Sequence, residues 1–181
     1  MSLTRDELVV LVDAEGEEIG HSVKADVHGP ATPLHLAFSL YLFDDLGRVL
    51  MTRRALSKRT WPGVWTNTCC GHPAPGESFA DAARRRLEFE LGLEVPQLTC
   101  LLPNFWYRAT DASGIVENEI CPVYEGSLVH PHPEIVPNAD EVMDCRWVPW
   151  KDLVEAVRLT PFAFSPWSVM QIEQLSGIPR P

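Results

Sequence analysis

Nowhere does the chain run to the ~20 consecutive apolar residues of a membrane-spanning helix, so no membrane span is expected. It has no CxxC pair of the kind that frames a structural zinc site, and its five cysteines are an odd number without regular spacing. Free thiols in a reducing, cytoplasmic compartment are therefore expected rather than a disulfide scaffold. The opening residues, MSLTRDELVVLVDAEGEE, lack a basic leader and soon turn acidic, unlike a secretory signal. Internal repeats and low-complexity tracts are also missing. Positive charge is scarce: 15 Lys and Arg stand against 25 Asp and Glu, a formal net charge of −10. Such a chain repels nucleic acid, so no nucleic-acid partner is expected, and no membrane partner.

The basic residues do cluster once. TRRALSKRTW holds Arg53, Arg54, Lys58 and Arg59. So short a patch on an acidic protein is either a solvated loop or a pocket for a small anion such as phosphate. The length, 181 residues, suits a single domain with a proper core, residues 1–181 together.

The pattern mixes strands and helices. ELVVLVDAEGEEIG reads as a strand and a turn, and HGPATP (28–33) as irregular. LHLAFSLYLFDDLGRVLMTRR reads as a hairpin turning at Asp44–Gly47, and GVWTNTCC as one strand ending at Gly71. SFADAARRRLEFELGL predicts a helix with Phe79, Ala83, Leu87 and Leu91 in a stripe, Ser78 as N-cap and Gly92 as the terminating residue. LTCLLPNFWYRA and GIVENEICPVYEGSL each read as a strand in which Pro103 or Pro122 marks an edge or bulge. His130 and His132 fall in a Pro-rich loop and are expected to be solvated. A last strand and two helices complete a mixed sheet covered by helices, an α/β (α+β) fold.

Two stretches carry chemistry. In GIVENEI, strand parity puts Glu117 and Glu119 on one face between apolar neighbours. Either this is the exposed side of an edge strand, or a divalent cation compensates two buried carboxylates. WTNTCCGHPAPGE sets Cys69 and Cys70 one glycine before His72, on a Gly/Pro-rich turn. His28 and His35 bracket another irregular segment. Three imidazoles at chain turns and a same-face Glu pair form a plausible nitrogen and oxygen metal site, better suited to Mn, Zn or Fe than to Mg. Glu90 ends the predicted helix, where the dipole disfavours an anion. It can pair with Arg86 one turn earlier, or serve Mg²⁺ carrying phosphate oxygens.

Residues 71–93, GHPAPGESFADAARRRLEFELGL, resemble the Nudix box, G-x5-E-x7-R-E-U-x-E-E-x-G-U. Gly71, Glu77, Arg85, Leu87, Glu90, Gly92 and Leu93 are in register. Arg86 and Phe89 stand where the box has metal-binding glutamates. This departure, together with LHLAFS, TRRALSK, TWPGVWTN, CCGHP, GIVENEICPV, DEVMD and FAFSPW, is similar to the type I isopentenyl-diphosphate isomerase family over nearly the whole chain. The resemblance implies a Nudix-like mixed sheet between helices, with a core of about residues 33–170 and an N-terminal segment 1–32 that closes over the site. It implies one Mn²⁺, Mg²⁺ or Zn²⁺ ion on His28, His35, His72, Glu117 and Glu119. It also implies a further Mg²⁺ that comes with an isoprenoid diphosphate and meets Glu90. Lys24, Arg54, Lys58 and Arg86 would contact the diphosphate. Cys70 and Glu119 would exchange protons on opposite faces of the substrate, with Tyr107 assisting Glu119. The first proton would come from Glu119. Trp167 would face a carbocation, though a tryptophan in FSPW also suits a core. A monomer is the expected state. A nucleotide hydrolase, which Arg86 and Phe89 oppose, and a non-catalytic diphosphate-binding module are the rival readings.

Overall fold

The computed structural model describes residues 7–129 and 131–178; His130 lies outside them. Its centre is β4 (Phe38–Asp44), in which all seven residues are buried. Alternate side chains explain this. Phe38, Leu40 and Leu42 enter one apolar cluster, and Tyr41 and Phe43 enter the other. The first cluster is closed by Ala82, Ala83, Leu87 and Leu91 of helix α2 (Phe79–Leu91). The second is closed by Leu153 and Val157 of α3 (Trp150–Leu159) and by Trp167, Ile172 and Leu175 of α4 (Pro166–Ser176). Each fully buried Leu contributes roughly 1.5–3 kcal/mol, so a strand buried on both faces organises the whole molecule. The order is helix, sheet, helices: an α+β fold. A short α1 (Lys24–Val27), not foreseen in the sequence, precedes His28.

This sheet runs β12 (Val142–Pro149), β5 (Arg48–Arg54), β4, β11 (Val123–Leu128), β8 (Leu98–Leu102). A second sheet runs β2 (Glu18–Val23), β1 (Leu8–Val12), β3 (His35–Leu36), β10 (Val116–Ile120), β9 (Trp106–Thr110). The two long strands expected around Pro103 and Pro122 are each divided at the proline. β8 and β11 lie in one sheet, β9 and β10 in the other. Neither proline can donate to a ladder; each marks a change of sheet, Pro103 between two edge strands, β8 and β9, and Pro122 beside a register shift at Val123/Tyr124, in keeping with the edge or bulge expected. At this switch the Cys121 amide donates to the Phe105 carbonyl and the Ser39 amide to that of Pro122.

The strand expected over GVWTNTCC is also broken. β6 (Trp65–Thr66) pairs with β5, and β7 (Cys69–Gly71) pairs with β4. Between them the chain crosses the mouth of the β4–β5 hairpin, which is joined in register only at Phe43 and Val49. Buried Thr68 fills the gap: its hydroxyl accepts from the Leu42 amide at 2.8 Å and donates to the Leu50 carbonyl at 2.6 Å. Helix α2 forms as its sequence predicts. Ser78 caps it by accepting from the Asp81 amide, and Gly92 ends it at φ 64, a left-handed conformation that favours glycine.

Replacing the Thr68 hydroxyl by a methyl, Thr68→Val, leaves a buried amide and a buried carbonyl unpaired. Urea unfolding should show a loss of about 2–4 kcal/mol; a loss below about 0.5 kcal/mol, within the range of neutral surface changes, would show that the hairpin mouth is held by other means.

Candidate active site

β10 lies between β3 and β9, and its register sets the site. Glu119 is the parallel partner of His35 and the antiparallel partner of Tyr107. Directly paired residues share a face, so imidazole, carboxylate and phenol stand in a row, with Glu117 two residues along the same face. His72 arrives from the end of β7, and His28 from the turn after α1. The ligand atoms of His28, His35, His72 and Glu119 all lie within 4.8 Å of one another. The three imidazole centroids are 5.1–5.5 Å apart.

The hydrogen bonding of these groups shows which atoms are available. The ring Nδ1 of His28 donates to the Lys24 carbonyl at 3.3 Å, and that of His35 to the Pro33 carbonyl at 2.9 Å. Each Nε2 is thereby left with its lone pair pointing inward. Nε2 of His28 lies 3.0 Å from Glu117 Oε2, and Nε2 of His35 lies 3.5 Å from Glu119 Oε1. Yet both nitrogens and Glu117 Oε2 are buried without a hydrogen bond. Lone pairs that converge without a proton between them fit a divalent cation, and the nitrogen and carboxylate donors suit one. Glu117 stands just outside the tightest group and reaches it through His28; its other oxygen accepts from Thr60 at 2.9 Å.

The electrostatics of these groups divide: His72 is held neutral, as a metal ligand must be, while Glu119 favours a proton on His35. Burial pushes the His72 pKa down to about 4, so this imidazole is a neutral donor. Burial opposes charge on Glu119 too, but hydrogen-bonding and attraction from His35 and His72 outweigh it and hold the carboxyl well below its ordinary range. For His35, burial disfavours the proton and Glu119 favours it, with a net rise.

A cavity of ≈ 470 Å³ opens on this group, within the range of about 300–1,000 Å³ typical of small-molecule sites. Cys70, Glu119, Tyr107, Trp167, Lys24, Arg54, Lys58, Arg86, Glu90, His28, His72 and Glu117 all line it. His35 sits behind them, fully buried. Every site residue expected from the sequence is thus in the cavity wall or directly behind it. Cys70 and Cys69 both touch the cavity wall, but Cys69 is buried in the α2 side of the core, while Cys70 packs against the opposite cluster. Burial pushes the Cys70 thiol up to about 11, so it holds its proton at neutral pH. Tyr107 likewise keeps its phenol proton, because burial and then the carboxylates of Glu119 and Glu117 raise it.

The cations of the cavity are not free. Lys24 pairs with Glu7, and Lys58 with Glu141. Arg86 donates to Glu90 at 2.6 Å and also lies 3.2 Å from Glu141 and 3.7 Å from Glu7. Arg54 donates to the Thr60 carbonyl at 2.9 Å and to that of Trp61 at 3.2 Å, and its guanidinium lies 5.3 Å from the Trp167 ring centre. Trp61 has φ 43, the one positive value among described non-glycine residues, a local strain that holds these carbonyls on Arg54. A Cβ at Gly71 would stand 3.1 Å from Arg86 Cγ, so glycine lets the arginine stem lie across β7. Glu7, Thr60 and Glu141 were not picked out from the sequence. Lys58 and Glu141 are 83 residues apart, and no local spacing signals such a pair.

The family profile of the NUDIX domain matches residues 33–170. The isopentenyl-diphosphate Delta-isomerase of Mycolicibacterium vanbaalenii is 56% identical over 171 residues, covering 94% of this chain and 92% of that protein. The enzyme of the same name from Agromyces mediolanus is 58% identical over 172 residues, covering 93% and 81%. Among solved structures, a Deinococcus radiodurans protein superposes with a TM-score of 0.70 at 19% identity, covering 93% of this chain and 98% of that one. A MutT protein from Methanosarcina mazei superposes at 0.60 with 15% identity, covering 81% and 97%. At such identities the structures share the fold alone.

Two measurements follow from the geometry. His35→Ala should lower divalent-metal affinity by at least about tenfold, read as metal content after dialysis; unchanged content would remove the imidazole cluster as the binding site. Alkylation of Cys70 by iodoacetamide, followed by peptide mass spectrometry, should be slow at pH 7 and accelerate toward about 11, because the thiolate is the nucleophile. A plateau near pH 8 would contradict the raised value.

Proposed function

The chain belongs to the isopentenyl-diphosphate Delta-isomerase family, on the NUDIX fold, and interconverts isopentenyl and dimethylallyl diphosphate; we propose that the residues of the cavity divide the work as follows. The observation that carries the assignment is the meeting of Cys70 and Glu119, from different sheets, in one cavity.

The reaction moves a double bond. A proton is added to the terminal carbon of the alkene, which leaves a tertiary carbocation, and another is removed from the carbon nearer the diphosphate. Two groups on opposite sides of the substrate are needed, and neither has to return the same proton. Glu119, assisted by the Tyr107 hydroxyl beside it, delivers the first proton in this reading, and Cys70 Sγ removes the second, the order expected from the sequence. Burial pushes the Cys70 thiol up to about 11, so the same two groups also serve in the opposite order, with Cys70 as the acid and Glu119 as the base. Run backward, each group takes the other's role.

A divalent cation (Mn²⁺, Mg²⁺ or Zn²⁺) on His28, His35, His72, Glu117 and Glu119 would supply positive charge beside Glu119 and lower its proton affinity. Lys24, Arg54, Lys58 and Arg86 bind the diphosphate, releasing the carboxylates that pair with three of them. Mg²⁺ arriving with the diphosphate would meet Glu90. Trp167 presents its ring to the carbocation, an attraction of ~0.5–2 kcal/mol. Being non-nucleophilic, it also keeps water from trapping the cation as an alcohol.

Of the N-terminal segment 1–32, the described residues 7–32 close one side of the cavity over a core of about 33–170 in this reading. Supporting this, Val23, Lys24, Ala25 and His28 line the cavity, and Arg59 donates to the Ala25 carbonyl at 2.6 Å. A monomer is the active unit of this reading. All five cysteines are free thiols, which supports a reducing, cytoplasmic setting.

Proton NMR of isopentenyl diphosphate with enzyme and Mg²⁺ in deuterated water should show the shifted double bond and deuterium incorporation. Cys70→Ala and Glu119→Gln should each lower the rate by about 10²–10⁴-fold while circular dichroism stays unchanged. Full activity in either variant removes that residue from the proton path. Phosphate release from nucleoside diphosphates without isomerisation would replace the reaction altogether.

A further inference from the structure

Asn67 is fully buried, yet each polar atom of its side chain is engaged. Its Oδ1 accepts from the Trp167 indole N–H at 3.0 Å and from the Thr66 hydroxyl at 2.8 Å. Its Nδ2 donates to the Cys69 carbonyl at 2.6 Å and to the Leu40 carbonyl at 3.3 Å. These are the four bonds an amide can make. The partners also fix its orientation: a flipped amide would set N–H against N–H and carbonyl against carbonyl. An aspartate could accept from the indole but not donate to the carbonyls. An apolar residue would leave the indole N–H and two backbone carbonyls competing for other partners.

This one side chain therefore joins two parts of the site that lie 100 residues apart in the chain. The Cys69 carbonyl belongs to the peptide that carries Cys70. The indole N–H is the edge of the ring that faces the substrate cavity. A ring attracts a cation through its face alone, so its orientation decides whether it helps. Packing limits the ring on other sides: Trp61 meets it edge-on with centroids 5.3 Å apart, and Tyr107 lies at 5.7 Å. The hydrogen bond to Asn67 is the directional contact.

We infer that Asn67 is a positioning residue of the isomerisation: it sets the plane of the Trp167 indole against the strand that bears Cys70. The inference rests on the reading of Trp167 as the wall beside the carbocation. Asn67 touches none of Lys24, Arg54, Lys58 or Arg86, and its one route to the diphosphate side is through the Trp167 ring, whose centre lies 5.3 Å from the Arg54 guanidinium. Disturbing it acts chiefly on the chemical step and only secondarily on diphosphate binding.

The test is a double-mutant cycle of Asn67→Leu and Trp167→Phe with isopentenyl diphosphate and Mg²⁺. Phenylalanine has no N–H, so in its presence the amide loses its function toward the ring. Asn67→Leu should lower kcat at least about tenfold with KM changed less than about threefold, and should cost less than about threefold in the Trp167→Phe background. An equal loss in both backgrounds overturns the inference, since Asn67 would then act through general stability. An unchanged kcat in Trp167→Phe alone overturns the role of the indole, and this inference with it. Should the Asn67 variants fail to fold, the intact enzyme still decides. The Trp167 indole N–H resonance, identified by its loss in Trp167→Phe, should exchange with solvent at least about a hundredfold more slowly than that of Trp106, which is 67% exposed. Comparable exchange rates overturn the inference.

Discussion

The burial of Glu119 is the constraint from which the rest of the molecule follows. A carboxylate that is 6% exposed in an inner strand of a sheet is destabilising unless hydrogen-bond donors or a cation face it. Here register gathers the groups that do so. Placing β10 beside β3 sets His35 against Glu119, and the end of β7 brings His72 to 3.2 Å from the same oxygen. The Pro103 and Pro122 switches matter for this reason. They deliver β9 and β10 to the second sheet while β8 and β11 complete the first. The fold thus spends its irregularities on bringing a carboxylate from one sheet and a thiol from the other to a common cavity.

The same accounting governs the cationic side. Arg86 is 5% exposed, and a buried guanidinium without a partner would be strongly unfavourable. In the absence of substrate Glu90, Glu141 and Glu7 surround it. Attraction to Lys58 and Arg86 overcomes burial and keeps Glu141 ionised; Lys24 does the same for Glu7. On the proposed reading, a diphosphate entering the cavity would exchange one set of anions for another rather than meet bare positive charge. That exchange would moderate the affinity that four cations would otherwise give, which suits an enzyme that must release a diphosphate product.

Much of this was legible in the sequence where one element carries the signal. Strand parity alone put Glu117 and Glu119 on one face, and the helix over 79–91 showed its stripe, its serine cap and its glycine stop. What stayed hidden depends on contacts across the fold. GVWTNTCC has the composition of one strand, but Thr68 and Asn67 divide it by taking backbone partners in β4 and β5. Pro103 and Pro122 were visible as interruptions, but local pattern cannot say that a chain changes sheets. Glu7 and Glu141 carry no local signal, because only the folded chain places them on Lys24, Lys58 and Arg86.

The departure of α2 from the hydrolase pattern can now be argued in physical terms. The inner face of this helix, where the box sequence has a glutamate, carries Arg86, lying over Gly71 and bound to Glu90. A carboxylate there would add negative charge beside Glu90 and Glu141 and would draw a further metal to the diphosphate, as water activation at phosphorus requires. An arginine instead neutralises those acids and offers the diphosphate a cation that carries no activated water. Phe89, at the second altered position, is 53% exposed and lies with its ring 5.0 Å from the Arg86 guanidinium. It holds the arginine by its face where a glutamate would compete for it. On the division of labour proposed above, both changes would leave the phosphorus end of the substrate bound but unattacked and confine chemistry to the alkene end, beside Cys70 and Glu119.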